Sequence, residues 1–180
     1  LQRVCQSVIM GVAEPTLWQI DGGLRPEGKD GPLVRRLESH EAYYEQWAEN
    51  WEFQALLKAR PVAGDSDLGQ AYMSMTRPFV WTASKRDNFV YDCQQMRKRV
   101  EDLIPNPLKD REIKLGRGGL RDVEFTVQML QLVHGRSDEA LRTSSTLESL
   151  QALAEGGYVS RKQAKKLSWD YRFERVLEHR

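Results

Sequence analysis

The chain has 180 residues, with 27 Lys and Arg against 26 Asp and Glu and a formal charge of +1. Such a balance argues against a dedicated polyanion binder, whose affinity rests on many unopposed Lys and Arg contacts to phosphate, so nucleic acid is not the expected partner. A hydrophobic content of 40% is enough for a packed core and argues against disorder.

At the start of the chain, Val4, Val8, Ile9 and Val12 recur at helical spacing, and Glu14-Pro15 ends that pattern because proline disfavours a helical residue before it. Leu17 to Asp21 alternates apolar and polar residues as a short strand, broken by Gly22-Gly23. Between Gly22 and Pro32 stand four glycines and two prolines, which take the backbone out of regular structure.

Everything after Pro32 reads mainly as helices. Ser39 caps one that carries Tyr44, Trp47, Trp51 and Ala55 on a single stripe, with Pro61 just beyond its basic end at Lys58 and Arg60. A short helix spans Asp67 to Met75. Thr82 or Ser84 opens a long one on which Phe89, Cys93, Met96, Val100 and Leu103 face the core, stopped by Pro105 and Pro107. Gly116-Arg-Gly-Gly119 precedes a helix with Val123, Val127, Leu130 and His134 on one stripe, ended by Gly135. Ser145 starts another, closed by Gly156-Gly157. Ser160 and Gln163 form a capping box for the last, whose Leu167, Tyr171 and Val176 or Leu177 face inward.

Cys5 and Cys93 stand far apart and form no C-x-x-C pair, which fits a reducing cytoplasm and no Cys-rich zinc site. No apolar run approaches the roughly 20 residues of a membrane span, and no charged-then-apolar leader opens the chain. The first residue is Leu1, and the last helical pattern carries no stop signal, so the expectation is a piece of a longer protein. The tryptophans read as packing residues, and His40, His134 and His179 show no metal-ligand spacing.

Three constellations could carry chemistry. Asp21 stands at a strand end before a glycine-rich turn, where a carboxylate suits a hard cation and Arg25 and Lys29 suit phosphate oxygens; the same residues also suit an ordinary loop. Glu52, Gln54, Lys58 and Arg60 share the second helix region, where basic side chains either oppose the macrodipole or meet an anion. The third is Lys114, Gly116, Gly118, Gly119 and Arg121, glycines ahead of a helix whose backbone N–H groups could converge on an anion. In that helix Arg121, Glu124, Gln128 and Gln131 form a polar stripe, with Val123, Val127 and Leu130 on one flank and Phe125, Met129 and Leu132 on the other. A helix apolar on both flanks is largely buried, so its stripe meets internal partners or lines a cavity, unless it is a solvated face.

Taken in order, Asp21…Leu24-Arg25-Pro26…Gly31-Pro32-Leu33-Val34, Trp51-Glu52…Lys58-Ala59-Arg60 and Ile113-Lys114-Leu115-Gly116-x-Gly118-Gly119-Leu120-Arg121-x-Val123-Glu124-Phe125 resemble the bifunctional glutamine synthetase adenylyltransferase/adenylyl-removing enzymes. The resemblance covers essentially the whole chain and is closer to the N-terminal, deadenylylating half of that family. It implies a mainly α fold: a helical bundle domain at 35–180, truncated at its C-terminus, preceded at 1–34 by a partial α/β nucleotidyltransferase (polymerase-β-like) remnant. It implies regulation of glutamine synthetase by reversible AMP attachment, with Mg2+ as cofactor, ATP or ADP and phosphate as substrates, and glutamine synthetase and the PII signal-transduction protein as partners.

By the same resemblance, Asp21 matches a metal-binding carboxylate and Arg25 a phosphate contact. Gly23 replaces an arginine of the pattern. Lys58, Arg60, Lys114, Gly116, Gly118, Gly119 and Arg121 match nucleotide- or phosphate-binding motif positions, supported by Glu52 and Glu124. The family's Gly-Ser and D-x-D elements are absent from these 180 residues, so the isolated chain is expected to be inactive. The alternative is a non-catalytic helical module that docks glutamine synthetase or the PII regulator.

Overall fold

The computed structural model describes residues 21–109 and 111–179. The expected first helix and nearly all of the Leu17–Asp21 strand lie outside the described residues. Among the described residues the structure is helical and contains no strand. None of the described helices is long and apolar enough to cross a membrane.

Among the described residues, seven α-helices follow the Gly22–Pro32 loop: α1 (Leu37–Gln46), α2 (Asn50–Leu56), α3 (Ser66–Thr82), α4 (Phe89–Asp102), α5 (Leu120–His134), α6 (Thr146–Glu155) and α7 (Arg161–Glu178). The single helix expected from Ser39 to Lys58 is two. Glu49 and Glu52 form a reciprocal capping box that starts α2, while Trp47, placed on the core stripe by the sequence, is 73% exposed. Conversely, α3 is much longer than the expected Asp67–Met75. Asp65 caps it by accepting from the Leu68 N–H, and Pro78 sits inside it, where the lost donor falls opposite the exposed Ser74. α4 starts at Phe89 rather than at Thr82 or Ser84, because Asn88 takes a left-handed conformation (φ 57°) just before it. Leu103, expected in the core, is 81% exposed.

Two apolar clusters hold the helices together. Tyr44, Phe53, Leu57, Val80, Phe89, Cys93 and Leu132 form the first, and Val123, Val127, Leu141, Leu150 and Leu153 the second. α5 belongs to both. Its Leu132 and Met129 feed the first cluster while Val123, Val127 and Leu130 feed the second, which is the division the two apolar flanks require.

Against that pair, α7 lays Leu167 and Tyr171 onto the second cluster and buries Ala164 on the same face. The same face continues through Glu174 and Glu178, three and seven residues on, not through Val176 and Leu177. Those two are 53% and 39% exposed, on an outer face with Trp169 and Phe173. The tryptophan and α7 expectations therefore fail where helical phase carries the apolar residue outward.

Candidate functional site

The loop before α1 is built around Arg25. Its Nε donates to the Gly31 carbonyl at 3.1 Å, Nη1 to the Gly22 carbonyl at 2.5 Å, and Nη2 to the Lys29 and Gly31 carbonyls at 3.1 and 2.9 Å. All three nitrogens thus close the glycine-rich loop on itself. Asp21 is exposed and accepts the Gly23 N–H at 2.8 Å. Among the described residues no group of three or more Asp, Glu, His or Cys side chains is placed to hold a metal ion. Asp21 alone does not make a magnesium site.

Glu52 is 6% exposed. Its Oε1 accepts the Glu49 N–H at 2.9 Å and the Tyr43 hydroxyl at 3.0 Å, so it fixes the start of α2 and the packing of α1 on it. Burial raises its carboxyl above the ordinary glutamate value, offset in part by those two donors.

Six residues after Glu52, Lys58 extends across to the segment between α5 and α6. Its ammonium donates to the Ser144 carbonyl and, at 3.1 Å, to Thr146 Oγ1. Burial pushes its pKa below the ordinary lysine value, and the Glu124 carboxylate opposes that shift. An ammonium has three N–H donors, so two are used here. Arg60 is exposed and has no carboxylate within 4.0 Å among the described residues.

The polar stripe of α5 meets internal partners. Gln128 Oε1 accepts from Gln54 Nε2 at 2.9 Å, across 74 residues of chain. Gln131 Nε2 donates to the Leu141 and Thr143 carbonyls at 2.7 and 2.8 Å. Glu124 takes Arg121 Nη1 at 3.1 Å and the Tyr171 hydroxyl at 2.9 Å, which draws α7 against α5. Gln54, Gln128 and Gln131 are between 1% and 6% exposed. Lys58 and Glu124, from two separate motifs, therefore reach one junction among α2, α5, α6 and α7.

The glycine segment behaves differently from the anion cradle its sequence suggests. The N–H groups of Lys114 and Leu115 donate to Glu112 Oε1, that of Gly116 to the Glu112 carbonyl, and that of Gly118 to Asp122 Oδ2. Those of Gly119, Leu120 and Arg121 donate to the carbonyls of Gly116, Ile113 and Lys114. With these backbone groups engaged, the Arg117 N–H and the side chains are what the segment has left to meet an anion. Gly118 has φ 79°, and a Cβ on Gly116 or Gly119 would overlap the carbonyl oxygen of Glu112 or Ile113. Lys114 Nζ pairs with Glu178 at 3.0 Å.

Arg97 of α4, which no sequence pattern singled out, clasps this segment. Its Nε pairs with Asp122 and its Nη2 donates to the Gly116 carbonyl at 3.0 Å. Tyr171, expected only as a core residue, is the second partner of Glu124. Neither Lys58 nor Arg60 lines the glycine segment's own groove, whose walls include Arg117, Gly118, Gly119 and residues of α7. The predicted residues thus fall into three places, of which the Lys58–Glu124 junction joins two motifs.

Two family models match parts of the chain: glutamate-ammonia ligase adenylyltransferase over residues 1–75 and GlnD PII-uridylyltransferase over residues 92–180. The chain is 86% identical over its full 180 residues to a bifunctional glutamine synthetase adenylyltransferase/adenylyl-removing enzyme of Bifidobacterium longum, and covers 17% of it. It is 62% identical over 165 residues, 92% of this chain and 16% of the relative, to the enzyme of the same description from Corynebacterium efficiens. With that of Streptomyces avermitilis it shares 58% identity over all 180 residues, 18% of the relative. It thus spans less than a fifth of the length of the curated relatives it matches.

Proposed function

The chain belongs to the family of bifunctional glutamine synthetase adenylyltransferase/adenylyl-removing enzymes, and we propose that it serves as the helical wall of the deadenylylating site in the intact polypeptide. The observation that carries this reading is the junction at which Lys58 and the Arg121–Glu124–Gln128 stripe converge. Ser144 and Thr146 fix the position of the Lys58 ammonium, and the nearby Glu124 carboxylate favours its charged form against burial. Its third N–H is the donor offered to a substrate phosphate, with Arg60 two residues further along the chain.

The proposed reaction is attack of inorganic phosphate on the phosphorus of AMP carried by a tyrosine of glutamine synthetase. One P–O bond forms to the incoming phosphate, the bond to the tyrosyl oxygen breaks, and ADP and free tyrosine result. Positive groups near the phosphorus neutralise the negative charge that the two phosphates bring together. Asp21 would hold magnesium through one carboxylate, together with ligands from outside these 180 residues, and the ion would supply positive charge to the phosphates. Lys114, from the glycine segment, and Arg121, from the first turn of α5, act by exchanging Glu178 and Glu124 for the ligand, and Gly116, Gly118 and Gly119 shape that segment. Arg25 holds the loop that carries Asp21. The match of residues 92–180 to a PII-uridylyltransferase model supports a link to the PII regulator, and the cysteine usage supports a cytoplasmic setting.

The test compares the 180-residue chain with the full-length enzyme on adenylylated glutamine synthetase. The chain alone is expected to release no ADP above background, and Asp21→Ala is expected to abolish release by the full-length enzyme. Turnover by the chain alone, or by the Asp21→Ala enzyme, overturns the reading.

A further inference from the structure

A groove of about 950 Å3 lies between the residues that follow α2, the C-terminal half of α3, and the segment from Arg136 to Ser144. Four arginines line it, Arg60, Arg77, Arg136 and Arg142, against a single carboxylate, Glu139. Arg142 is spent within the fold. Its Nε donates to the Gly135 carbonyl at 2.8 Å, Nη2 to the Arg136 carbonyl at 3.2 Å, and Nη1 pairs with Glu139 at 2.7 Å, with the guanidinium over the Trp81 ring. That pair consumes the groove's one negative charge. Arg60, Arg77 and Arg136 remain, exposed, and among the described residues none of them has a carboxylate within 4.0 Å.

Three uncompensated guanidinium groups around one concavity contrast with a chain whose formal charge is only +1. They contrast also with the groove beside the glycine segment, where Lys109, Arg111, Arg117 and Lys166 face Glu112, Asp170 and Glu174. Like charges gathered in a cleft repel each other and raise the local concentration of anions. Guanidinium groups fit phosphate oxygens in a planar, two-pronged geometry. Lys58 stands at the rim, since its ammonium donates to the carbonyl of Ser144, a wall residue.

The geometry points to this groove as a binding site for a small anion carrying two or more linked phosphate groups, held by Arg77 and Arg136 together with Arg60. The volume falls within the range of small-ligand sites, roughly 300–1,000 Å3, and three cations suit a charge of about minus three better than a single orthophosphate. The assignment rests on the phosphate-facing reading of Arg60 and extends it to two residues that no motif marks. Their positions on α3 and after α5 bring them to Arg60 only in the folded chain.

Two measurements test it, and both read binding rather than turnover. In the first, tripolyphosphate, ADP, ATP, orthophosphate and adenosine are titrated into the 180-residue chain by calorimetry, beside the Arg77→Gln/Arg136→Gln variant. Tripolyphosphate, ADP and ATP are expected to bind at one per chain, adenosine not at all. Each lost guanidinium should weaken binding about tenfold, or about a hundredfold for the pair. Both side chains are exposed, so the variant should melt with the wild type.

In the second, the full-length enzyme is treated with phenylglyoxal and mapped by mass spectrometry. Tripolyphosphate should protect Arg60, Arg77 and Arg136 while leaving Arg99 and Arg172 reactive. Equal affinity of tripolyphosphate and ATP identifies the phosphates alone as the recognised group; tighter ATP adds the nucleoside, and either outcome supports the site. Unchanged affinity in the double variant, or no protection of Arg77 and Arg136, overturns it. Protection together with full turnover of a Lys58 variant separates this site, which then stands, from the catalytic reading, which then falls.

Discussion

Gln128→Met probes whether the stripe of α5 is held by its partners or merely tolerated. Gln54 and Gln128 are 3% and 6% exposed and joined by one hydrogen bond of 2.9 Å, while Gln54 Oε1 already lacks a partner. Methionine fills nearly the volume of glutamine, so little cavity cost enters. The variant leaves the whole Gln54 amide buried and unpaired, a cost of about 1–3 kcal/mol. Gln54→Met removes the orphaned acceptor along with the donor and should cost less. The double variant replaces both amides by apolar groups and should lie within about 1 kcal/mol of the parent, giving a coupling energy of about 1–2 kcal/mol. Urea unfolding followed by far-UV circular dichroism measures all four proteins, and thermal melts should show about 2–4 °C per kcal/mol for a chain of this size. Strictly additive single-variant effects would refute the reasoning.

Two further outcomes follow from the same geometry. Gly118→Ala meets no atom within 4 Å and should cost only its left-handed backbone, about 1–2 kcal/mol, whereas Gly119→Ala drives a Cβ into the Ile113 carbonyl and should be clearly worse by the same melts; equal losses would contradict this. Burial raises the Glu52 carboxyl above its ordinary 4.5, so at pH values between the unfolded and folded pKa the folded state holds a proton that the unfolded chain has released. This contribution is fully present below pH about 4.5 and is lost as pH rises through the folded value, and Glu52→Gln should flatten that part of the stability profile. Identical slopes for the two proteins would rule it out.

The helix pattern made α5, α6 and the caps at Ser145 and Ser160 legible, because each rests on local spacing. Its two apolar flanks marked α5 as largely buried, and the structure divides them between two clusters. Local spacing failed at Trp47, where a Glu49–Glu52 capping box starts a new helix although glutamate is not a favoured cap residue. It failed again on α7, where two half-buried glutamates continue the inward face that Val176 or Leu177 was expected to hold.

The site was legible only in part for a related reason. Sequence marks which face of a helix is polar, but not which distant residue lands on it, and the partners of Gln128 and Glu124 lie 74 and 47 residues away. The glycine segment was visible as glycines. Where its amide protons go depends on Glu112, Asp122 and Arg97, whose spacing carries no signal. The arginine groove has no linear trace, since its three unpaired cations come from three segments.

Lys58→Gln in the full-length enzyme tests the central claim most directly, through phosphate-dependent release of ADP from adenylylated glutamine synthetase. Loss of one charge-assisted contact to a substrate phosphate should lower kcat/KM about ten- to a hundredfold, with the melting temperature nearly unchanged and part of the activity restored by Lys58→Arg. Wild-type turnover by a normally folded Lys58→Gln enzyme would contradict the account.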